Sequence, residues 1–311
     1  MEYPKYFNPK NSRNLYGLEN DFNFLTSLYS IKKLPKVLML TGNKGCGKST
    51  LINHFLFSIF DKKNYNKSGL SLLESSTLFY QFKNDIFQNI IYVKGLNFKS
   101  VKVEDIRNLK LKILQSSIIN KDRFIVLDDV ELFNTNSLNA LLKIIEEPSK
   151  NNYFILINNK RKPLIDTIRS RSIEFKIILS EKVRIDTINK LIKLNNIEIV
   201  LDPETSQLSP GNFMKFNYIC NEFDISTDKE FLENLSLLLN LYKKNKDSLF
   251  IDVVFYLAEC YFKSLNNKSN IKSDKIYEIK SFVIKNLNKY ITFNLSQNSL
   301  INAINNKINH G

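Results

Sequence analysis

The residues with the clearest capacity for chemistry lie between positions 42 and 49. Gly42, Asn43, Lys44, Gly45, Cys46, Gly47, Lys48 and Ser49 fit the pattern G-x-x-x-x-G-K-[ST], in which backbone N–H groups at a helix N-terminus surround phosphate oxygens. The glycines let the backbone come close. Lys48 is a point charge for β- and γ-phosphates, Ser49 offers a hydroxyl to Mg²⁺, and Thr50 completes the phosphate-side set. Three of the chain's eight glycines fall in this one segment, so a chance match explains it poorly. A second group is Asp128 and Asp129, which close the apolar run RFIVL. Alone, a strand ending in Asp-Asp reads as a turn. Downstream of a phosphate loop, Asp128 is placed to hold Mg²⁺ through its water shell, together with Ser49.

These groups need elements to position them. Pro35 precedes VLMLTG, which reads as a buried parallel strand, and the glycine-rich turn then opens into the helical pattern STLINHFLFSIF. RFIVLDD at 123–129 leads into a helix carrying SLNALLKIIEE that Pro148 stops. NYFILINN at 152–159 and IEFKI from Ile173 are two further strand-like runs. Buried strands alternating with helices imply an α/β fold with a parallel sheet and a ligand site at the carboxyl ends of its strands. From about Ser180 apolar residues recur at helical spacing through TINKLIKL, FLENLSLLLNLY, LFIDVVFYLAECYF and IYEIKSFVIKNL. DPETSQLSPGNF punctuates this helical part and divides it. The expected domains are therefore 1–179, 180–223 and 224–311. Asn/Lys-rich stretches at 61–68, 243–247 and 266–275 read as exposed loops.

Composition limits the function classes. A 311-residue chain that is 43% hydrophobic buries a sizeable core. Its apolar runs are much shorter than the roughly 18 to 20 residues that cross a bilayer. The start MEYPKYFNPKNSR lacks the apolar core of a secretory signal, so a cytoplasmic protein is expected. Cys46, Cys220 and Cys260 have no CxxC spacing and read as reduced thiols. Residues 1–180 carry 28 Lys+Arg against 16 Asp+Glu, and residues 181–311 carry 17 against 15. The basic part suits a polyanion and the nearly neutral part a protein partner, although a Lys-rich surface also serves solubility alone. His54 lacks a second ligand nearby and reads as a packing or surface residue. The C-terminal tyrosines and phenylalanines, at helical spacing, read as core.

VLDDVELFNTNSLNALLKIIEEPS at 126–149 and LINNKRKPLIDTIRSRS at 156–172 resemble the stretch shared by the AAA+ subunits of the bacterial DNA polymerase III clamp loader. Asn139, Ala140, Leu141, Leu142, Lys143, Glu146, Glu147 and Pro148 match the family's N-A-L-L-K-x-x-E-E-P residue for residue. LYGLENDFNFL at 15–25, with Tyr16 and Gly17, resembles the box that closes over adenine, and VKVEDIRNLKLKI resembles the helix-opening segment before Asp128. The resemblance covers about residues 14–180 and is faint beyond. It implies an AAA+ P-loop domain followed by a small helical lid and an all-helical collar, with ATP or ADP and Mg²⁺ as ligands. Gamma/tau and delta subunits, the sliding clamp and primer-template DNA, held by phosphate contacts, are the implied partners. Arg171, in Ser170-Arg171-Ser172, aligns with the arginine finger that reaches a neighbouring subunit's γ-phosphate. Without that context it reads as a surface arginine paired with a carboxylate. Asn159 aligns with sensor 1, and Asn158 would point the other way.

Departures from the pattern bear on catalysis. Asp129 stands where hydrolytic members have glutamate, one methylene longer, and positioning decides such rates. Leu208-Ser-Pro-Gly-Asn212 resembles the lid motif of sensor 2, yet Gly211 and Asn212 stand where arginine might. Ser172 replaces the usual cysteine. Residues 51–127 contain no cysteine, so the family's four-cysteine zinc site is not expected. Binding with weak or absent hydrolysis is the balance of a delta-prime type of subunit. A gamma/tau-type motor using Lys48, Ser49, Asp128 and Asp129 is the alternative.

Overall fold

A computed structural model describes residues 3–95, 101–114, 122–225, 230–268, 273–293 and 295–310. The chain forms two compact units, one of Met1–Thr187 with Ser209–Gly211 and one of Ile188–Leu208 with Asn212–Gly311.

In the first unit the elements run α1 Glu19–Ser30, β1 Val37–Thr41, α2 Lys48–Phe60, β2 Tyr65–Asn66, β3 Ser71–Leu72, α3 Thr77–Lys83, β4 Ile90–Lys94, α4 Val103–Leu114, β5 Arg123–Asp128, α5 Thr135–Ile145, β6 Asn152–Asn158, α6 Asp166–Ser170 and β7 Ile173–Lys176. Five strands form one parallel sheet in the order β4-β5-β6-β1-β7. Period-two alternation sorts their side chains into two layers. Leu38, Leu40, Phe124, Val126, Ile155 and Ile157 face a core closed by Phe22 and Leu25 of α1 and Leu51 and Phe55 of α2. Val37, Met39, Ile125, Leu127, Phe154 and Leu156 face the opposite core, closed by Ile106 and Leu109 of α4, Leu138 and Leu141 of α5, and Ile168 of α6. All residues of β1 and β5 are buried, which explains their continuous apolar sequence.

This is the α/β layering and AAA+ fold class expected from the sequence, and all four expected strands form. α5 ends at Ile145, two residues short of the segment before Pro148, where the α conformation becomes unfavourable. β4, on the sheet edge, is an addition. The two-residue β2 and β3 are another, and they place Tyr65 in the core rather than in an exposed loop.

Helix α7, Glu181–Asn195, spans the end of the first unit. The second unit is built on α8 Pro210–Glu222, α9 Phe231–Asn245, α10 Ser248–Lys268, α11 Ser273–Phe293 and α12 Gln297–His310. Its core holds Phe213, Phe216, Leu235, Leu238, Phe250, Val254, Val283 and Leu287. Phe231 stacks on Tyr261 with ring centroids 4.4 Å apart, so the aromatic residues serve packing here. Positions 243–245 and the described parts of 266–275 belong to helices rather than loops, while 269–272 lie outside the described residues. Among the described residues no helix is long and apolar enough to cross a membrane.

Candidate functional site

The strand order explains how distant residues meet. β6 lies between β5 and β1, in register such that Asp128 pairs with Ile157 and Thr41 with Asn158. Three carboxyl ends therefore converge: the loop after β1, Asp128–Asp129 after β5, and Asn159 after β6.

The loop itself has the shape its glycines demand. Gly45 and Gly47 have φ of 80° and 97°, left-handed values that side chains avoid. Gly47 caps α2, whose first turn directs N–H groups at the loop's interior. Lys48 is buried, and its Nζ donates to the Gly42 and Asn43 carbonyls at 2.8 and 2.7 Å and approaches Cys46 Sγ at 3.6 Å. Burial lowers the pKa of this ammonium, opposed by Cys46, Asp128 and Glu131. Ser49 Oγ donates to Asp128 Oδ2 at 3.0 Å. A hydroxyl and a carboxylate oxygen thus converge, a donor set suited to a hard divalent cation. Thr50 follows within the first turn of α2. Tyr92 of β4 points its hydroxyl to the same Asp128 oxygen at 3.4 Å, and burial with that carboxylate raises the Tyr92 pKa.

Asp129 sits in the left-handed region with φ of 55°. Its Oδ1 accepts from Asn159 Nδ2 at 2.7 Å, so the expected sensor and the expected water-activating carboxylate are bonded to each other. Asn158 turns away, its Oδ1 accepting from the Lys160 N–H at 2.9 Å. Glu131, which no motif marked, is 4% exposed. Its Oε1 accepts from the N–H groups of Asn159 at 3.1 Å and Arg161 at 3.5 Å. Burial raises its pKa, the Asp129 charge adds to the rise, and the N–H donors oppose it. Nothing local in the sequence shows this role, because the partners are 28 and 30 residues away.

Two further segments reach the loop. Leu18 Cδ1 lies 2.9 Å from where a Cβ on Gly47 would stand; Tyr16 and Gly17, just before it, are half-buried, and Gly17 packs against Val183 and Thr187. Burial raises the Tyr16 pKa. From the lid-like motif, Ser209 Oγ donates to the Lys44 carbonyl at 2.6 Å and the Gly211 N–H to the Gly45 carbonyl at 2.9 Å.

Arg171 follows α6 and stands apart from this group. Its Nε donates to Glu146 Oε1 at 2.8 Å, with the two side chains 39% and 45% exposed, and its Nη1 to the Thr167 carbonyl at 3.2 Å. His54, fully buried on α2, bonds through Nδ1 to Tyr65 Oη at 3.0 Å and serves packing.

Sheet order, phosphate loop and the acidic strand end together define a P-loop nucleotide-binding domain of the AAA+ class. Residues 17–180 match the family model described as "DNA polymerase III, delta subunit", and the chain belongs to that family, the clamp-loader group whose motifs it carries. It is 26% identical over 259 residues to the DNA polymerase III subunit delta' of Buchnera aphidicola subsp. Baizongia pistaciae, covering 76% of this chain and 75% of that one. It is 24% identical over 257 residues to the subunit gamma of Buchnera aphidicola subsp. Schizaphis graminum, covering 81% and 68%. Among solved structures, a gamma subunit-related protein of Thermotoga maritima aligns over 90% of this chain and 96% of its own at 14% identity, with a TM-score of 0.45. That score is too low to bear on the fold, which the strand order establishes by itself.

Proposed function

We propose that this chain is a delta-prime-like subunit of the clamp loader, acting in the cytoplasm. It binds ATP or ADP with Mg²⁺ at its own P-loop, turns it over weakly or not at all, and supplies Arg171 to a neighbouring subunit's nucleotide during ATP-dependent loading of the sliding clamp on primed DNA. Gly42–Thr50 would hold the phosphates, Ser49 and Asp128 the metal, and Tyr16 and Gly17 the base side. Residues 1–179 would be the nucleotide domain, 180–223 the lid and 224–311 a collar joining gamma/tau and delta. The basic first part would meet primer-template DNA through its phosphates.

The observation that carries this reading is the contrast between two side chains. Asp129, already shorter than the usual glutamate, has one carboxylate oxygen, Oδ1, bonded to the Asn159 amide. Arg171 is half-exposed and held by a partly solvated ion pair worth about 0–1 kcal/mol. A γ-phosphate across a subunit boundary could outbid that pair easily. Similarity to relatives named gamma and delta' is nearly equal, so the residues at 129 and 211 favour delta-prime, not the identities.

The test is steady-state ATPase of the purified chain alone and then with gamma/tau, delta, clamp and primed DNA. Expected are negligible turnover alone and, for Arg171→Ala, a fall of about 10³-fold or more in the assembled loader, with nucleotide binding to the variant chain unchanged. Lys48→Ala weakens binding to this chain. Turnover by the isolated chain that disappears in Lys48→Ala makes it a motor instead, and undiminished assembled turnover in Arg171→Ala removes the finger.

A further inference from the structure

Glu131 occupies the 3₁₀ turn Val130–Leu132 after β5, where its charge acts on both Asp129 and the buried Lys48. An apolar side chain of similar length would fill the space without the several kcal/mol that burying a carboxylate costs unless it is well bonded. The bonds it makes are all to one place. Where β6 leaves the sheet after Asn158, three successive N–H groups lose their strand partners. Lys160 takes a left-handed φ of 57°, which turns the flanking N–H groups to the same side, the concave arrangement that binds anions. Glu131 is the anion bound there. Its Oε1 accepts from Asn159 and Arg161, and Asn158 Oδ1 accepts from Lys160 between them. Its Oε2 is buried with no hydrogen-bond partner among the described residues.

We propose that Glu131 is the positioning residue of the Asn159 turn: it fixes where Asn159 presents its amide, and thereby sets how strongly the site distinguishes a nucleotide with a γ-phosphate from one without. This rests on the nucleotide reading above. Through its backbone Asn159 is anchored to Glu131, and through its amide to Asp129. Releasing the first anchor leaves the amide free to wander, while none of the hydrogen bonds that Lys48 and Ser49 make in the P-loop is lost with it. The expected signature is thus loss of discrimination, with ADP affinity retained.

The probes are ATPγS and ADP, titrated calorimetrically into the full chain, with amide hydrogen exchange at Asn159 and Arg161 read in parallel. Glu131→Met, similar in length but without an oxygen acceptor, lowers the ATPγS-to-ADP affinity ratio by about tenfold, the scale of losing a charge-assisted hydrogen bond, and speeds exchange at 159 and 161. Glu131→Gln, whose amide oxygen still accepts, restores most of both. Should Met unfold the unit, Glu131→Leu, which also lacks an oxygen acceptor, reads the same ratio and the same exchange. In the variant without an acceptor at 131, an unchanged ratio with normal ADP binding, or unchanged exchange at 159 and 161, overturns the proposal. Failure of the wild-type chain to bind either nucleotide sinks the nucleotide reading and the discrimination with it, and exchange then decides the positioning role by itself.

Discussion

Acidification should unlock the first unit through His54, and the size of the effect follows from its surroundings. The ring is fully buried on α2, edge-on to Phe57 and Tyr65, with Nδ1 bonded to Tyr65 Oη. Burial lowers its pKa from 6.5 to about 4, partly opposed by the Ser12 backbone. Because the folded value lies below the unfolded one, the unfolded chain takes up the proton first as pH falls. Above about pH 6.5 both states are neutral and His54 contributes no pH dependence. Between about 6.5 and 4 the unfolded state is increasingly favoured, by roughly 1 kcal/mol at pH 5.5, roughly 2 to 3 kcal/mol at pH 4.5 and a limit of roughly 3 kcal/mol below both values. Carboxylates titrate in the same range, so the informative quantity is the difference between the wild-type chain and His54→Gln, which keeps a polar partner for Tyr65 but cannot titrate. Native-state hydrogen exchange of α2 and β5 amides, corrected for intrinsic rate, reports the opening free energy of this unit alone. The variant starts less stable at pH 7.5 and loses less on acidification, so the two curves converge by the amounts above. Parallel curves from pH 7.5 to 4.5 would refute the reasoning, and with it the view of His54 as a neutral packing group.

Other expectations concern single positions. Gly17 has φ of 72°, and a Cβ there would stand 2.5 Å from Thr187 Oγ1 and 2.8 Å from Val183 Cγ1. Gly17→Ala should cost about 2 kcal/mol or more, strain and clash together, seen as a lowered thermal midpoint. Ser76 caps α3 by accepting from the Phe79 N–H at 3.1 Å while donating to Asp61 Oδ2 at 2.6 Å. Ser76→Ala should cost about 1 kcal/mol, with faster amide exchange confined to α3 and its surroundings.

What the sequence made legible followed from burial. β1, β5 and β6 are covered on both faces, so their apolar residues run without interruption and could be read directly. β4 is an edge strand whose middle residues Ile91, Tyr92 and Val93 are only half-buried, and its short run gave no comparable signal. With β4 went Tyr92 and its contact to Asp128. The P-loop was legible because its chemistry is contiguous; Ser49, Asp128 and Asn159 then required only the strand order. Glu131 was not legible, because its role depends on the 131 and 159 turns being neighbours across two adjacent strand ends. The pairing of Asp129 with Asn159 was hidden for the same reason, each having been assigned a separate task. Arg171 was expected either as a finger or as a surface arginine beside a carboxylate. Its partner in this chain, Glu146, is the first glutamate of the very motif that carries the family resemblance.

The contact between Gly211 and the P-loop sets terms for anyone who would alter the lid-like segment. Placing a cation in the lid-like motif looks like a one-codon change, but position 211 is tight. A Cβ there would lie 3.0 Å from the Gly45 carbonyl oxygen and 3.1 Å from its Cα. Both atoms are backbone of the phosphate loop, so a side chain at 211 asks that loop to give by a few tenths of an ångström. Any redesign of position 211 is therefore a change to the phosphate loop as well, to be judged first by whether nucleotide binding survives it.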